Sequence, residues 1–233
     1  MPKDPIVLLS RPMEQSVRFR EALGDMRTII SPIMEIRPVP AEVDLSGYDV
    51  LLFASRHAVQ AVRRFAPEGK YAIAVGQATA GAARELGMDV TAAGGDAGAL
   101  VKLAAQSPRG SRMLFLRGRH SRGDVAQKLA EKGFSVDSVV VYDQVEKPLN
   151  PEAEGLLRGN ARVIVPLFSP RSSALMGREA RRVDASAPIV LVGLSGAVAQ
   201  AWEGPGPLAT YVAARPDEAE MVQKIRAAAS NWP

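Results

Sequence analysis

The 233-residue chain has no cysteine, which excludes a disulfide framework and a thiolate metal site. Histidine occurs only at His57 and His120, too few for a dedicated zinc or haem centre. Aromatic residues make up 5% of the chain, and no stripe of interleaved basic and aromatic residues, nor any nucleic-acid-binding motif, is present. Long apolar runs are missing as well. Ile6 to Leu9 is too short for a signal-peptide core, and no stretch approaches the length of a membrane span. No apolar stripe is left over for dimerisation. The expectation is a cytoplasmic monomer that engages neither membrane nor nucleic acid.

What is present is ordinary globular material, 47% apolar and 23% charged, with a formal charge of +4. One reading of that charge is a solvated, arginine-rich surface. The other is a polyanionic partner, and a small molecule with many carboxylates suits the composition as well as a nucleic acid does. Steeply salt-dependent retention on DNA would mark the nucleic-acid case.

Short apolar strands alternate with helix-length segments, the pattern of parallel α/β architecture. Strands are expected at Ile6–Ser10, Thr28–Pro32, Val50–Ala54, Tyr71–Val75, Asp89–Ala92, Arg112–Leu116, Ser135–Val141, Arg162–Leu167, Ile189–Val192 and Ala209–Val212. Helices are expected at Met13–Leu23 (apolar at Val17, Phe19, Ala22 and Leu23), Ala58–Phe65, Ala78–Leu86, Ala97–Gln106, Val125–Lys132 and Asp217–Ala229. Gly24, Gly87 and Gly133 stand where helices should stop.

An internal repeat organises these elements. "LLFASRHAV" at 51–59 is echoed by "VPLFSPRSSAL" at 165–175, and "IAVGQATAGAA" at 73–83 by "VLVGLSGAVAQA" at 190–201. "DAGALVKLAAQ" at 96–106 matches "DEAEMVQKIRAA" at 217–228, and "MLFLRG" at 113–118 matches "IVLLSRP" at 6–12. The last pair breaks linear order, because its outer member opens the chain. One domain inserted into a permuted copy of itself would give that order. The expected division is a discontinuous α/β domain, 1–35 plus 147–233, and an inserted α/β domain, 39–141. The connectors would lie at about 36–38 and 142–146.

Each repeat places small or polar residues where a strand yields to a helix, on the sheet edge where open parallel folds bind ligands. The junctions are Ser55-Arg56-His57, Gly76-Gln77-Ala78-Thr79, Ser169-Pro170-Arg171-Ser172 and Gly193-Leu194-Ser195. Free backbone N–H groups there would suit carboxylates. A structural reading stands beside the functional one: serines and threonines cap helices, and glycines permit turns. Arg11, Arg56, Arg117, Arg119, Arg122 and Arg171 cluster near the same edges, and guanidinium forks pair well with carboxylates. No Gly-x-Ser-x-Gly elbow or His-Glu-x-x-His motif occurs, and "LRGRHSRGD" at 116–124 lacks the ending of a phosphate loop.

In order and spacing, "LLSRP", "LFASRHAV", "AVGQATA", "LRG", "VVVYDQ", "FSPRSSA" and "LVGLSGAVAQA" resemble the uroporphyrinogen-III synthase family. The resemblance implies two doubly wound, flavodoxin-like parallel-sheet domains joined by a two-stranded connector, with the second domain inserted into the first and the substrate held between them. It implies a lyase that closes hydroxymethylbilane, a linear tetrapyrrole bearing eight carboxylates, to uroporphyrinogen III with loss of water and inversion of the terminal ring. No metal or organic cofactor is implied, and transient contact with the enzyme supplying hydroxymethylbilane is. By the same resemblance Arg11, Arg117 and Gly118 join the junction residues as substrate contacts. Tyr142 aligns with a tyrosine of the family and is either a proton donor to the departing hydroxyl or an aromatic wedge. His57 stands where relatives often carry Asn, and Ser195 where many carry Thr. A non-catalytic relative that sequesters a tetrapyrrole would present the same pattern.

Overall fold

A strand that is apolar at every position needs both faces of its sheet covered. The computed structural model describes residues 4–120 and 124–233, so Arg122 lies outside the described residues. Four strands are buried at every residue: β1 (Ile6–Leu9), β4 (Val50–Phe53), β9 (Val163–Leu167) and β10 (Ile189–Gly193). The others are β2 (Thr28–Ile30), β3 (Met34–Pro38), β5 (Tyr71–Ala74), β6 (Asp89–Ala92), β7 (Arg112–Gly118), β8 (Ser135–Glu146) and β11 (Ala209–Val212). Helices α1 (Met13–Leu23), α2 (Arg56–Val62), α3 (Gln77–Arg84), α4 (Ala97–Ala104), α5 (Val125–Ala130), α6 (Pro151–Arg158), α7 (Pro170–Arg182), α8 (Gly196–Gln200) and α9 (Glu218–Ser230) connect them.

Contacts divide the chain into a discontinuous unit, Met1–Glu35 with Val145–Pro233, and a continuous unit, Ile36–Gln144. The chain crosses between them inside β3 and inside β8, which are neighbours in one sheet. The discontinuous unit carries the sheet β11-β10-β9-β1-β2, and the other sheet runs β3-β8-β7-β4-β5-β6. Every ladder within β11-β10-β9-β1-β2 and within β8-β7-β4-β5-β6 is parallel. Counted from β4, the continuous unit has the spatial order third, second, first, fourth, fifth; counted from β9 and continued from the N-terminus, the discontinuous unit has the same order. The two sheets are therefore circular permutations of one topology.

Side-chain alternation along each strand feeds two cores per sheet. Ile6 and Leu8 pack with Leu157 and Met176 of α6 and α7, whereas Val7 and Leu9 pack with Phe19, Leu23, Met221 and Ile225 of α1 and α9. In the continuous unit Leu51 and Phe53 meet Val59 and Ala80 of α2 and α3, and Val50 and Leu52 meet Leu100 and Leu129 of α4 and α5. The inner strands of both sheets are thus covered on both faces. Helix starts are capped by short polar residues: Asp96 accepts from the Ala99 N–H (2.7 Å), Asn150 from Ala153 (2.9 Å) and Asp217 from Glu220 (2.8 Å).

Several expectations require correction. In α1 the buried stripe is Ser16, Phe19 and Leu23, and Ala22 is exposed. Ser16 is tolerated inside because its hydroxyl donates to the Arg11 carbonyl (2.9 Å). Helix α2 starts at Arg56, ahead of the expected Ala58, because Ser55 caps it, and it tightens into a 3-10 turn at Arg63–Phe65. Strand β8 runs on past Val141 to Glu146, and β3 pairs with it. Helix α6 was not expected; Asn150 caps it and Pro151 fits its first turn.

An ion-pair network ties α6 to α7. Arg182 donates to Glu154 (2.6 Å) and to both carboxylate oxygens of Glu179 (2.8 and 2.9 Å), and Glu179 also accepts from the Leu149 N–H (2.8 Å). The Arg182 hydrogen bonds hold both carboxyls below the ordinary glutamate value of 4.5, against the opposing effect of burial. A depressed folded-state pKa contributes stability that is present above the ordinary value and lost as pH falls through the lowered one. The urea midpoint should therefore fall as pH drops below about 4.5, and Arg182→Ala should flatten that fall. Gly177 gives a second expectation, since a Cβ there would stand 2.5 Å from the Gly204 nitrogen and 2.6 Å from that of Glu203. Backbone cannot yield as a side chain can, so Gly177→Ala should destabilise the fold by about 1–3 kcal/mol in urea unfolding.

Candidate functional site

In each parallel sheet the carboxyl ends of the strands share one edge, and the order reverses beside the first strand of the repeat. In the continuous unit that strand is β4, flanked by β7 and β5; in the discontinuous unit it is β9, flanked by β1 and β10. The register therefore lines up Tyr142, Gly118, Ser55–His57 and Gly76–Thr79 along one edge. Along the other it lines up Arg11, Ser169–Ser172 and Gly193–Ser195. Sequence reasoning named all of these positions. Their geometry assigns several of them local work.

Serine hydroxyls at three junctions cap their own helices. Ser55 accepts from the His57 N–H (3.1 Å) and Ser195 from Val198 (3.4 Å). Ser169 and Ser172 form a reciprocal capping box, in which Ser169 Oγ accepts from the Ser172 N–H (3.1 Å) and Ser172 Oγ from the Ser169 N–H (3.2 Å). The fourth junction differs. Gly76 precedes α3 with no side-chain cap and no acidic residue in the first turn. The N–H groups of Gln77, Ala78 and Thr79 have no partner within the helix, and with no side-chain cap such a helix start suits an anion. Gln77 and Ala78 are exposed, and Thr79 is buried. Gly193 is confined by Ala199, whose Cβ and nitrogen would lie 3.2 Å from an added Cβ.

Tyr142 is 6% exposed and belongs to the core under α2 and α3. Its ring lies over Gly118: a Cβ on Gly118 would stand 2.5 Å from Tyr142 Cζ and 2.8 Å from its hydroxyl oxygen. The ladder shifts register between Arg117 and Gly118, which brings Gly118 opposite Tyr142. The His57 ring is 5.6 Å from that of Tyr142, tilted by 60°. The phenol end thus sits at the carboxyl edge, seated by the absence of a side chain on β7.

The arginines divide by their partners. Arg11 stacks on Phe168 (3.9 Å to the ring centroid), donates to Gln15 (3.2 Å) and lies 3.6 Å from Glu218. Phe168 in turn meets Phe19 edge-on at 5.0 Å, so Arg11 is held as part of an aromatic stack. Arg117 donates to Ser138 (2.9 Å) and to the Gly118 carbonyl (3.2 Å). Arg171 lies 3.8 Å from Glu146, and Arg56 is half-buried in the first turn of α2. Arg119 donates to Asp143 (2.8 Å), and His120 lies 3.5 Å from the same carboxylate. Burial works to raise the Asp143 carboxyl, but the Arg119 hydrogen bond, the Gln144 N–H and the charges of Arg119 and His120 together lower it. Asp143 was missed in sequence, although it adjoins Tyr142 in "VVVYDQ". Among the described residues no three His, Asp or Glu side chains gather as a metal ion requires, and no helix is long and apolar enough to cross a membrane.

Cavities also open at the opposite, amino edges. One of about 720 Å³ is lined by Asp49, Tyr71, Ser107 and Arg109, and one of about 620 Å³ by Asp4, Arg27, Glu152 and Arg162. Open parallel sheets bind ligands at their carboxyl edges, beside the strand where the order reverses, and not at these amino edges.

The family model of uroporphyrinogen-III synthase HemD matches residues 16–223. Among solved structures, the chain is similar to the uroporphyrinogen-III synthetase of Helicobacter pylori. The identity is 16% and the TM-score 0.69, with 97% of this chain and 99% of that chain covered. It is also similar to a mutant uroporphyrinogen III synthase of the extremely thermophilic bacterium Thermus thermophilus, at 18% identity and TM-score 0.55, with 97% and 99% covered. At these identities the likeness is one of fold. No curated protein sequence matches the chain.

The seat of Tyr142 is testable without reference to activity. Gly118→Ala should destabilise the chain by about 1–3 kcal/mol, because the buried ring has nowhere to move. In a Tyr142→Leu background the same change should cost less, and the difference measures the contact.

Proposed function

We infer the function from one premise: the chain belongs to the uroporphyrinogen-III synthase family, whose model spans most of its length. It is a uroporphyrinogen-III synthase, converting the linear tetrapyrrole hydroxymethylbilane into cyclic uroporphyrinogen III and water with the terminal ring inverted. The class is a hydro-lyase acting in the cytoplasm as a monomer, in transient contact with the enzyme that supplies its substrate. The observation that carries the chemical reading is the carboxyl edge of the continuous unit. Tyr142 is seated over Gly118, and along the same edge the start of α3 has no side-chain cap.

The reaction needs little conventional machinery. Protonation of the terminal hydroxyl lets it leave as water, and the electron-rich pyrrole supplies the pair that forms an azafulvene. Attack at the already substituted carbon of the terminal ring gives a spiro intermediate, which fragments and recloses. Loss of a ring proton restores aromaticity, so one proton enters and one leaves. Holding the substituted carbon, rather than the open one, against the electrophile decides the isomer. Tyr142 is the proton donor, with its phenol at the edge. The N–H groups of Gln77, Ala78 and Thr79 take substrate carboxylate. Ser55, Ser169, Ser172 and Ser195 contribute through the helix starts they fix, and Arg56, His57, Pro170, Leu194 and Gly193 shape the surfaces around them. Arg11, Arg117 and Arg171 add positive potential.

A sequestering, non-catalytic relative would keep both edges, and in it the buried Tyr142 ring would serve packing alone. A coupled assay separates the two. Chain added to freshly generated hydroxymethylbilane should give predominantly isomer III once the products are oxidised and separated. Isomer I alone, at the spontaneous rate, would refute the enzyme. Tyr142→Phe keeps the ring and removes the proton, and kcat should fall by about tenfold with KM held. An unchanged kcat would restrict Tyr142 to packing.

A further inference from the structure

We propose that Arg119 binds a carboxylate of the substrate and that Asp143 is the residue that positions it, an assignment that rests on the function proposed above. Arg119 follows Gly118 at the end of β7, and its backbone N–H donates to the Tyr142 carbonyl at 3.0 Å. Its Cα is thus fixed one residue beyond the Tyr142 seat, on the ligand-binding edge. The side chain is 56% exposed and takes no part in the core. Across the ladder, Asp143 is 23% exposed and accepts from Arg119 Nε at 2.8 Å.

Asp143 is itself anchored. Its Oδ1 accepts from the Gln144 N–H at 2.7 Å, and the same oxygen lies 3.5 Å from His120 Nε2. A carboxylate tied to backbone on one oxygen and to a guanidinium on the other holds that guanidinium in one orientation. A guanidinium has five donors, and Asp143 takes the one on Nε. The planar fork beyond it matches a second carboxylate. As an exposed ion pair the contact contributes little to folding. Its effect is to aim a cation.

Three other arginines of this edge and its counterpart are engaged differently. Arg11 is stacked on Phe168, Arg117 is turned back on Ser138 and the Gly118 carbonyl, and Arg171 is set against Glu146.

The test compares wild type with Arg119→Ala, Arg119→Lys, Asp143→Asn and Asp143→Glu on freshly generated hydroxymethylbilane. Initial rates, isomer ratio and thermal midpoint are read for each. Arg119→Ala should raise KM about tenfold, the loss of one charge-assisted contact, with kcat and the isomer III fraction held. The rise of KM with added salt should flatten in the same variant. Arg119→Lys should recover part of the loss, Asp143→Asn should raise KM by less than Arg119→Ala, and Asp143→Glu should restore it. A KM for Arg119→Ala within about twofold of wild type, with isomer III still formed, overturns the carboxylate contact, since a tenfold effect is the expectation. An Asp143→Asn variant that loses thermal stability and kcat while KM stays put shows a structural pair and overturns the positioning role. Isomer I alone from the wild-type chain removes the function itself, and the assignment with it, before any variant is compared.

Discussion

Burying both faces of a parallel strand is the constraint on which everything else here depends. Such a strand cannot meet its neighbour through a tight hairpin, so the chain returns through a helix, and the strands of β11-β10-β9-β1-β2 and of β8-β7-β4-β5-β6 all run in one direction. The carboxyl ends then share one edge, and most are followed by a helix start whose first N–H groups lie outside the helix's own ladder. In β4 and β9 every residue is buried, so nothing in these strands is available for chemistry. What can meet a ligand is displaced to the residues just past their ends. A polar edge beside an apolar sheet follows from the packing, and a substrate with many carboxylates is a ligand such an edge can hold.

The chemistry is correspondingly spare. A substrate that carries its own electron pair and leaving group needs a shaped surface and one proton. Tyr142 is placed by packing against Gly118 and His57. Rigid seating suits a reaction whose outcome depends on which carbon of a ring is presented. It also explains why so many polar side chains at the junctions are bound to their own helices: a positioned backbone requires that its caps be fixed.

The strands and the glycine stops were readable from sequence because they obey local physics. Gly24, Gly87 and Gly133 each adopt positive φ, at 66°, 75° and 85°, a conformation that other residues enter at a cost. Helix α6 was hidden because Gly155 and the Asn150-Pro151 pair resemble a loop. Strand β3, ending in Pro38, has no strand signal of its own, and only its pairing with β8 makes the two expected connectors a pair of strands. At the site, repeats located the junctions, yet no local signal separates a serine that caps from one that binds. The Arg119–Asp143 pair spans 24 residues of sequence, and nothing in either residue's neighbourhood announces the other. Long-range register decides such pairs, and a single sequence carries little of it.

The permuted topology also bears on how the chain is made. Strand β1 lies between β9 and β2 in the finished sheet, and all four of its residues, Ile6–Leu9, are buried there. On the ribosome it emerges about 150 residues ahead of β9. Until then the one sheet neighbour available to it is the short edge strand β2. Throughout that interval the continuous unit can complete itself, while an apolar strand with one side unpaired waits ahead of it in the nascent polypeptide. The segment most exposed to mispairing during synthesis is therefore one of the most deeply buried at the end of it.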